Sequence, residues 1–138
     1  MDSPPVGGVR TWRDILAMVL MLLAALGALL SFVGSLGTVL AAPPPIQLVE
    51  SWRMYGFLVF AGLFVLLALW PRLYPGVWEL VIFHKAAMAI TAAALIGRGA
   101  LEATLIATVD GTLAVLAVVA YLLSRGYTSW SRLRAPQR

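Results

Sequence analysis

The chain has 138 residues, of which 62% are hydrophobic and only 12% are charged. A typical soluble domain is about half apolar and about one quarter charged, so these polar residues could not coat a soluble globule of this size. The net charge of +4 comes from cations near the ends of apolar segments. That placement fits the positive-inside rule of membrane proteins better than a nucleic-acid-binding patch. The absence of cysteine excludes disulfides, thiolate nucleophiles and cysteine-ligated metals.

Apolar segments of membrane-spanning length define the predicted architecture. A helix needs about 20 predominantly apolar residues to cross the hydrocarbon core, and four segments of the chain reach that length. The first is predicted over residues 15–42. It follows cations and ends in small residues, as a secretory signal does, but a signal core has only about 7–15 apolar residues. We therefore interpret it as the first transmembrane helix.

The three prolines at positions 43–45 separate the first two spans. Proline lacks an amide donor and clashes with the preceding helical turn, so these residues are expected to end the first helix. The second helix is predicted over residues 51–70. Ser51 is expected to cap its first turn, because a serine hydroxyl accepts from the unpaired amides there.

The third helix is predicted over residues 77–96 and the fourth over residues 101–124, with a short basic tail, 125–138, at the membrane interface. Because the connections are short, sequential helices are expected to be adjacent and antiparallel. The sequence therefore predicts an all-α fold, in which residues 1–138 form a single transmembrane domain. Its architecture is a four-transmembrane-helix, up-down-up-down bundle.

The distribution of arginines predicts the orientation in the membrane. Four spans place both termini on one side. The arginines on that side are Arg10, Arg13, Arg72, Arg125, Arg132, Arg134 and Arg138, and those on the other side are Arg53 and Arg98. Seven against two predicts that both termini are cytoplasmic and that the chain lies in the cell (cytoplasmic) membrane.

Small residues form stripes on two of the predicted helices. In lipid, such residues allow the backbones of neighbouring helices to approach closely. The stripe of the fourth helix comprises Ala103, Ala107, Asp110, Ala114, Ala117 and Tyr121, and that of the first helix comprises Ala24, Gly27, Ser31, Gly34 and Thr38. We therefore expect Asp110 to face the bundle and Val109 to face lipid.

Ionisable residues inside the spans are the candidate functional groups, because such groups are expensive in a membrane interior. The candidates for a buried polar site, a ligand site or a proton path are His84, Lys85, Asp110 and Arg53, and those expected at the interface are Glu50, Glu79, Arg98 and Glu102. One interpretation is a buried pair of Asp110 with Lys85 or His84 that fixes helix register. The other is a proton or solute path through Asp110 and His84. We expect no metal and no cofactor, since a single histidine could ligate haem only with a second ligand from another subunit.

Three short motifs resemble those of the DoxX-like group of small four-helix membrane proteins. They are the Arg53-x-Tyr55-Gly56 entry to the second helix, Gly97-Arg98 after the third, and Asp110-Gly111 within the fourth. The resemblance covers roughly the second to fourth helices. It implies a small protein of the bacterial inner membrane that is associated with a redox complex.

These patterns favour a non-enzymatic membrane protein that acts as a scaffold or accessory subunit, with a lipid-like ligand between its helices. The expected partners are the bilayer and either another membrane subunit or a second copy of the chain. One alternative is an oligomeric small transporter or proton conductor that uses Asp110 and His84. A second alternative is a haem or quinone anchor, or a membrane enzyme, which would need more convergent polar residues.

Overall fold

A computed structural model of the protein describes residues 10–134, and four long helices make up most of it. The long helices are α1 (Trp12–Ala41), α2 (Pro44–Leu69), α3 (Val77–Leu95) and α4 (Ala103–Ser124), followed by a 3₁₀ turn (Gly126–Trp130) and the single-turn α5 (Ser131–Arg134). All four long helices are long and apolar enough to cross a membrane. No strand occurs within residues 10–134. The predicted all-α bundle with four spans is confirmed.

A capping box fixes the start of α1. The Asp14 amide donates to the Thr11 hydroxyl at 3.3 Å, and the Thr11 amide donates to the Asp14 carboxylate at 3.1 Å. These two bonds satisfy amides that have no partner within the first helical turn. The helix therefore begins at Trp12, three residues before the apolar segment from which it was predicted.

The predicted start of α2 at Ser51 is wrong, because the helix begins at Pro44. Proline is well suited to a first helical turn, where its missing N–H has no partner to lose and its fixed φ matches the helix. The prolines thus end α1 and also begin α2. Ser51 lies well inside α2 and donates its hydroxyl to the Gln47 carbonyl at 2.8 Å, so it is not a cap.

The other helix boundaries lie within two residues of the predicted ones. Helix α3 ends at Leu95, and α4 begins at Ala103 because Glu102 adopts a left-handed conformation with φ of 60°. Within the predicted tail, residues 126–134 form the 3₁₀ turn and α5, and Gly126 and Ser129 are buried. Residues 135–138 of that tail lie outside the described residues.

The helices pack as two pairs, α1 with α2 and α3 with α4, which are joined mainly by contact between α1 and α4. Helices α2 and α3 touch at only a few residues, although they are sequential. The expectation that sequential helices are adjacent therefore describes α2 and α3 least well. One of their contacts is between Phe60 of α2 and His84 of α3.

The hydrophobic core lies toward one end of the bundle. We call this the arginine-rich end; it comprises the start of α1, the 70–76 connection and residues 125–134. Its largest fully buried apolar side chains are those of Trp78, Phe64, Met21, Leu67 and Val81. The opposite end comprises the 42–43 and 96–102 connections, and the helices near it bury few residues. The close packing of the core thus holds one end of the bundle more tightly than the other.

Candidate functional site

A buried ion pair joins α3 to α4 within the membrane-spanning region. Lys85 Nζ donates to Asp110 Oδ1 at 2.7 Å, and the two side chains are only 7% and 13% exposed. The same ammonium lies 4.1 Å from the centroid of the Phe60 ring on α2, which adds a cation–π contact. This group, which we call the Lys85 cluster, brings residues of three helices together.

The helical period explains why Lys85 and not His84 reaches Asp110. Lys85 lies on the face of α3 that buries Trp78, Val81 and Ala92, with spacings that keep all four on one side of the helix. His84 precedes it by one residue, a rotation of about 100° around the helix axis, and its side chain is exposed. The His84 ring contacts Phe60, with centroids 4.6 Å apart and planes tilted by 44°. Of the two partners considered for Asp110, the structure pairs it with Lys85.

A second polar cluster ties the C-terminal turn to the bundle. Glu79 Oε1 accepts a hydrogen bond from the Tyr121 hydroxyl at 2.7 Å and another from Trp130 Nε1 at 2.9 Å. We call these three residues the Glu79 cluster. The other carboxylate oxygen, Oε2, is buried without a partner among the described residues. Glu79 was expected at the interface, and its two partners lie 42 and 51 residues away in the chain.

Arg72 connects three segments at the arginine-rich end. Its Nε donates to the Ser124 carbonyl of α4 at 2.7 Å, and one of its terminal nitrogens pairs with Asp14 of α1. Arg72 itself lies in the connection between α2 and α3. From the sequence, Arg72 was interpreted only as a cation that determines topology. The structure shows that it also binds the Ser124 carbonyl, which has no partner within α4 because it lies at the end of the helix.

Arg53 forms the corresponding connection at the opposite end. It pairs with Glu50 at 2.5 Å, one turn earlier on α2, and with Glu102 at 2.7 Å at the start of α4. Asp110 is held by Lys85 and does not pair with Arg53. Arg98 is exposed in the 96–102 connection and takes part in none of the ion pairs found within residues 10–134.

Each carboxylate that the structure describes is bound through at least one of its oxygens, although Glu79 Oε2 has no partner among the described residues. The five are Asp14, Glu50, Glu79, Glu102 and Asp110, and each accepts a hydrogen bond from a cation, a hydroxyl or an indole. Four of the five bind a residue of a different helix or connection, the exception being Glu50. Within residues 10–134, no group of three histidine or carboxylate residues could hold a metal ion. The arrangement is therefore suited to holding helices in fixed positions.

Comparison of the chain with protein-family models, with curated proteins and with solved structures finds no match. The functional argument therefore rests on the geometry of the described residues.

Proposed function

We propose that this protein is a non-enzymatic integral membrane scaffold or accessory subunit. The observation that carries the proposal is that all five described carboxylates are bound by donors of the chain itself. A catalytic or transport site keeps polar groups available for a substrate or a proton. Here the polar groups of the spans instead fix the positions of neighbouring helices.

The Lys85 cluster is the strongest example of this structural role. A buried ion pair is weak evidence for net stability, but loss of one partner leaves an uncompensated buried charge. The pair therefore penalises any slip of α3 against α4 that would separate Lys85 from Asp110. A rigid scaffold needs its helices held in one register. In a soluble domain, hydrophobic packing alone could fix that register.

The main alternative is a proton conductor that uses Asp110 and His84. Among the described residues, Asp110 is bound by Lys85, and no hydrogen bond joins it to His84. The His84 ring contacts Phe60 instead. A haem anchor would need a second axial ligand from another subunit, since the chain has one histidine. These placements favour the scaffold over both alternatives.

The resemblance to DoxX-like proteins extends the proposal to location. Two of the residues that carry it, Arg53 and Asp110, are both held in ion pairs, as expected of positions with a structural role. We propose that the protein lies in a bacterial cytoplasmic membrane with its arginine-rich end inside. The excess of arginines at that end supports this orientation.

We further propose that the scaffold acts as a homo-oligomer through the outward face of α1. Gly27, Ser31 and Gly34 are exposed on this face, and a Cβ atom added at either glycine would meet nothing within 4 Å. Spacings of four and three residues keep them on one side of the helix, where a second helix can approach closely. A twofold interface needs one self-complementary patch, which a small, nearly flat helix face supplies.

Cysteine crosslinking tests the oligomer, since the chain has no cysteine of its own. The variant Gly34→Cys should form a disulfide-linked dimer under mild oxidation in membranes. Val115→Cys is the matched control, because Val115 is 62% exposed on α4 and lies away from the proposed face. Equal crosslinking of the two variants, or none at Gly34→Cys, would contradict the proposed interface.

Proton flux tests the scaffold against the conductor. Purified protein in vesicles that enclose a pH-sensitive dye should show no more potential-driven acidification than empty vesicles do. A protonophore added at the end confirms that the vesicles are sealed. Acidification that exceeds the empty-vesicle rate and disappears in His84→Phe, with the protein still folded, would overturn the scaffold proposal.

A further inference from the structure

A basic pocket of about 500 Å³ lies at the arginine-rich end, among the start of α1, the 70–76 connection and the end of α4. Its wall includes four arginines, one carboxylate and one leucine, which are Arg10, Arg13, Arg72, Arg125, Asp14 and Leu123. Three separate parts of the chain thus contribute cations to a single concavity. The sequence indicated these arginines only as topology determinants.

The charge in this pocket is only partly neutralised by the chain. Arg72 pairs with Asp14, the one carboxylate in the wall. Arg10 donates to the uncharged sulfur of Met18 at 3.0 Å. Within residues 10–134, none of the ion pairs includes Arg10, Arg13 or Arg125. Three arginines that line the pocket therefore have no counter-charge among the described residues.

The position of the pocket matches the depth of lipid headgroups. It lies at the ends of membrane-spanning helices, and Trp12 and Trp70 near it are 70% and 51% exposed. Exposed tryptophans mark the level at which a membrane meets water. Leu123 adds an apolar wall on the side of α4, and there an acyl chain could follow the helix into the hydrocarbon.

We propose that this pocket binds the phosphate of an anionic phospholipid headgroup. Guanidinium groups bind phosphate oxygens through paired, charge-assisted hydrogen bonds. Basic pockets between transmembrane helices recognise anionic headgroups by the same chemistry. The site is separate from the Lys85 cluster, so it does not depend on the scaffold proposal.

Native mass spectrometry of the full chain tests the site. The protein is released from micelles that contain equal amounts of phosphatidylglycerol and phosphatidylcholine, and the lipid retained on each molecule is identified. Wild type should retain phosphatidylglycerol preferentially. One cation near an anionic surface contributes about a fivefold change in affinity, so Arg13→Gln with Arg125→Gln should reduce the retention of phosphatidylglycerol about 25-fold.

The matched control removes two other arginines. Arg98 lies at the opposite end, and Arg134 lies at the same end but outside the pocket wall, so Arg98→Gln with Arg134→Gln should keep retention within about twofold of wild type. If the first double variant does not fold, Arg13→Gln alone should still lower retention about fivefold.

Three results would overturn the proposal. One is equal retention of the two lipids by wild type, and another is an equal loss in both double variants, which would indicate attraction by net charge alone. The third is retention of inorganic phosphate, supplied without lipid, in a protein with no preference for phosphatidylglycerol. That result would assign the pocket to a soluble phosphate.

Discussion

Gly126 occupies a site that has no room for a side chain, and this makes Gly126→Ala a sharp test of the packing at the arginine-rich end. A Cβ atom there would lie 2.5 Å from Trp78 Nε1 and 2.8 Å from Tyr121 Cδ2. Trp78 is only 1% exposed, and its indole N–H donates to the Pro71 carbonyl at 2.8 Å. The Tyr121 hydroxyl is bound to Glu79. Neither ring can move away without the loss of a hydrogen bond.

The expected loss of stability has two parts. Overpacking of a well-filled core costs about 1–3 kcal/mol. Loss of the Trp78 indole bond adds about 0.5–1.5 kcal/mol. We therefore expect Gly126→Ala to lower the free energy of unfolding by about 1.5–4.5 kcal/mol.

Unfolding by sodium dodecyl sulfate in mixed micelles, followed by tryptophan fluorescence, measures this change. Gly62→Ala is the matched control, because Gly62 lies inside α2 and a Cβ there would meet nothing within 4 Å. That substitution should stabilise the helix by about 0.5–1 kcal/mol. Wild-type stability in Gly126→Ala, or an equal loss in both variants, would refute the reasoning.

Two further predictions concern the ends of the bundle. Glu79→Ala removes the acceptor that holds Trp130, so trypsin should cleave within residues 125–134 at least about tenfold faster. Leu80→Ala, at a position 69% exposed to lipid, should leave the cleavage rate unchanged. Equal cleavage rates in the two variants would show that Glu79 does not hold this turn. Single cysteines introduced at positions 3 and 137 test the orientation; Ser3 and Gln137 lie outside the described residues. Each cysteine should resist an impermeant thiol reagent in intact cells and react with it after lysis. Labelling of either cysteine before lysis would contradict the proposed orientation.

The number and approximate limits of the helices follow from the sequence because a bilayer imposes a minimum apolar length. The start of α2 does not follow, since the prolines at positions 43–45 were interpreted only as helix breakers. Proline opposes a helix in its interior and is compatible with its first turn. The same three residues therefore end one helix and start the next, which a reading of proline as a breaker misses.

The pairing of residues within the polar clusters was harder to predict from the sequence than the positions of the helices. The alanines of α3 are distributed around the helix axis, so the sequence does not show which face of the helix is buried. His84 and Lys85 therefore remained equal candidates for the partner of Asp110. The structure resolves the choice through the positions of Trp78 and Val81. The Glu79–Trp130 contact joins residues 51 positions apart, and no local pattern indicates such a pairing.

The central claim is that paired ionisable groups in the spans fix the register of neighbouring helices, and a double-mutant cycle on Lys85 and Asp110 tests it most directly. Lys85→Met and Asp110→Leu each leave one buried charge unpaired, so each alone should lower the free energy of unfolding by about 3–5 kcal/mol. The double variant has no unpaired charge and should fall within about 1 kcal/mol of wild type.

Unfolding in mixed micelles supplies all four free energies of the cycle. Phe83→Met with Val109→Leu is the matched control on the same two helices, because both residues are exposed to lipid, at 71% and 47%. Its effects should be additive within about 0.5 kcal/mol. Strong coupling between Lys85 and Asp110, with additive effects in the control, is the result that the account predicts. Additive losses in the Lys85 and Asp110 cycle would contradict it.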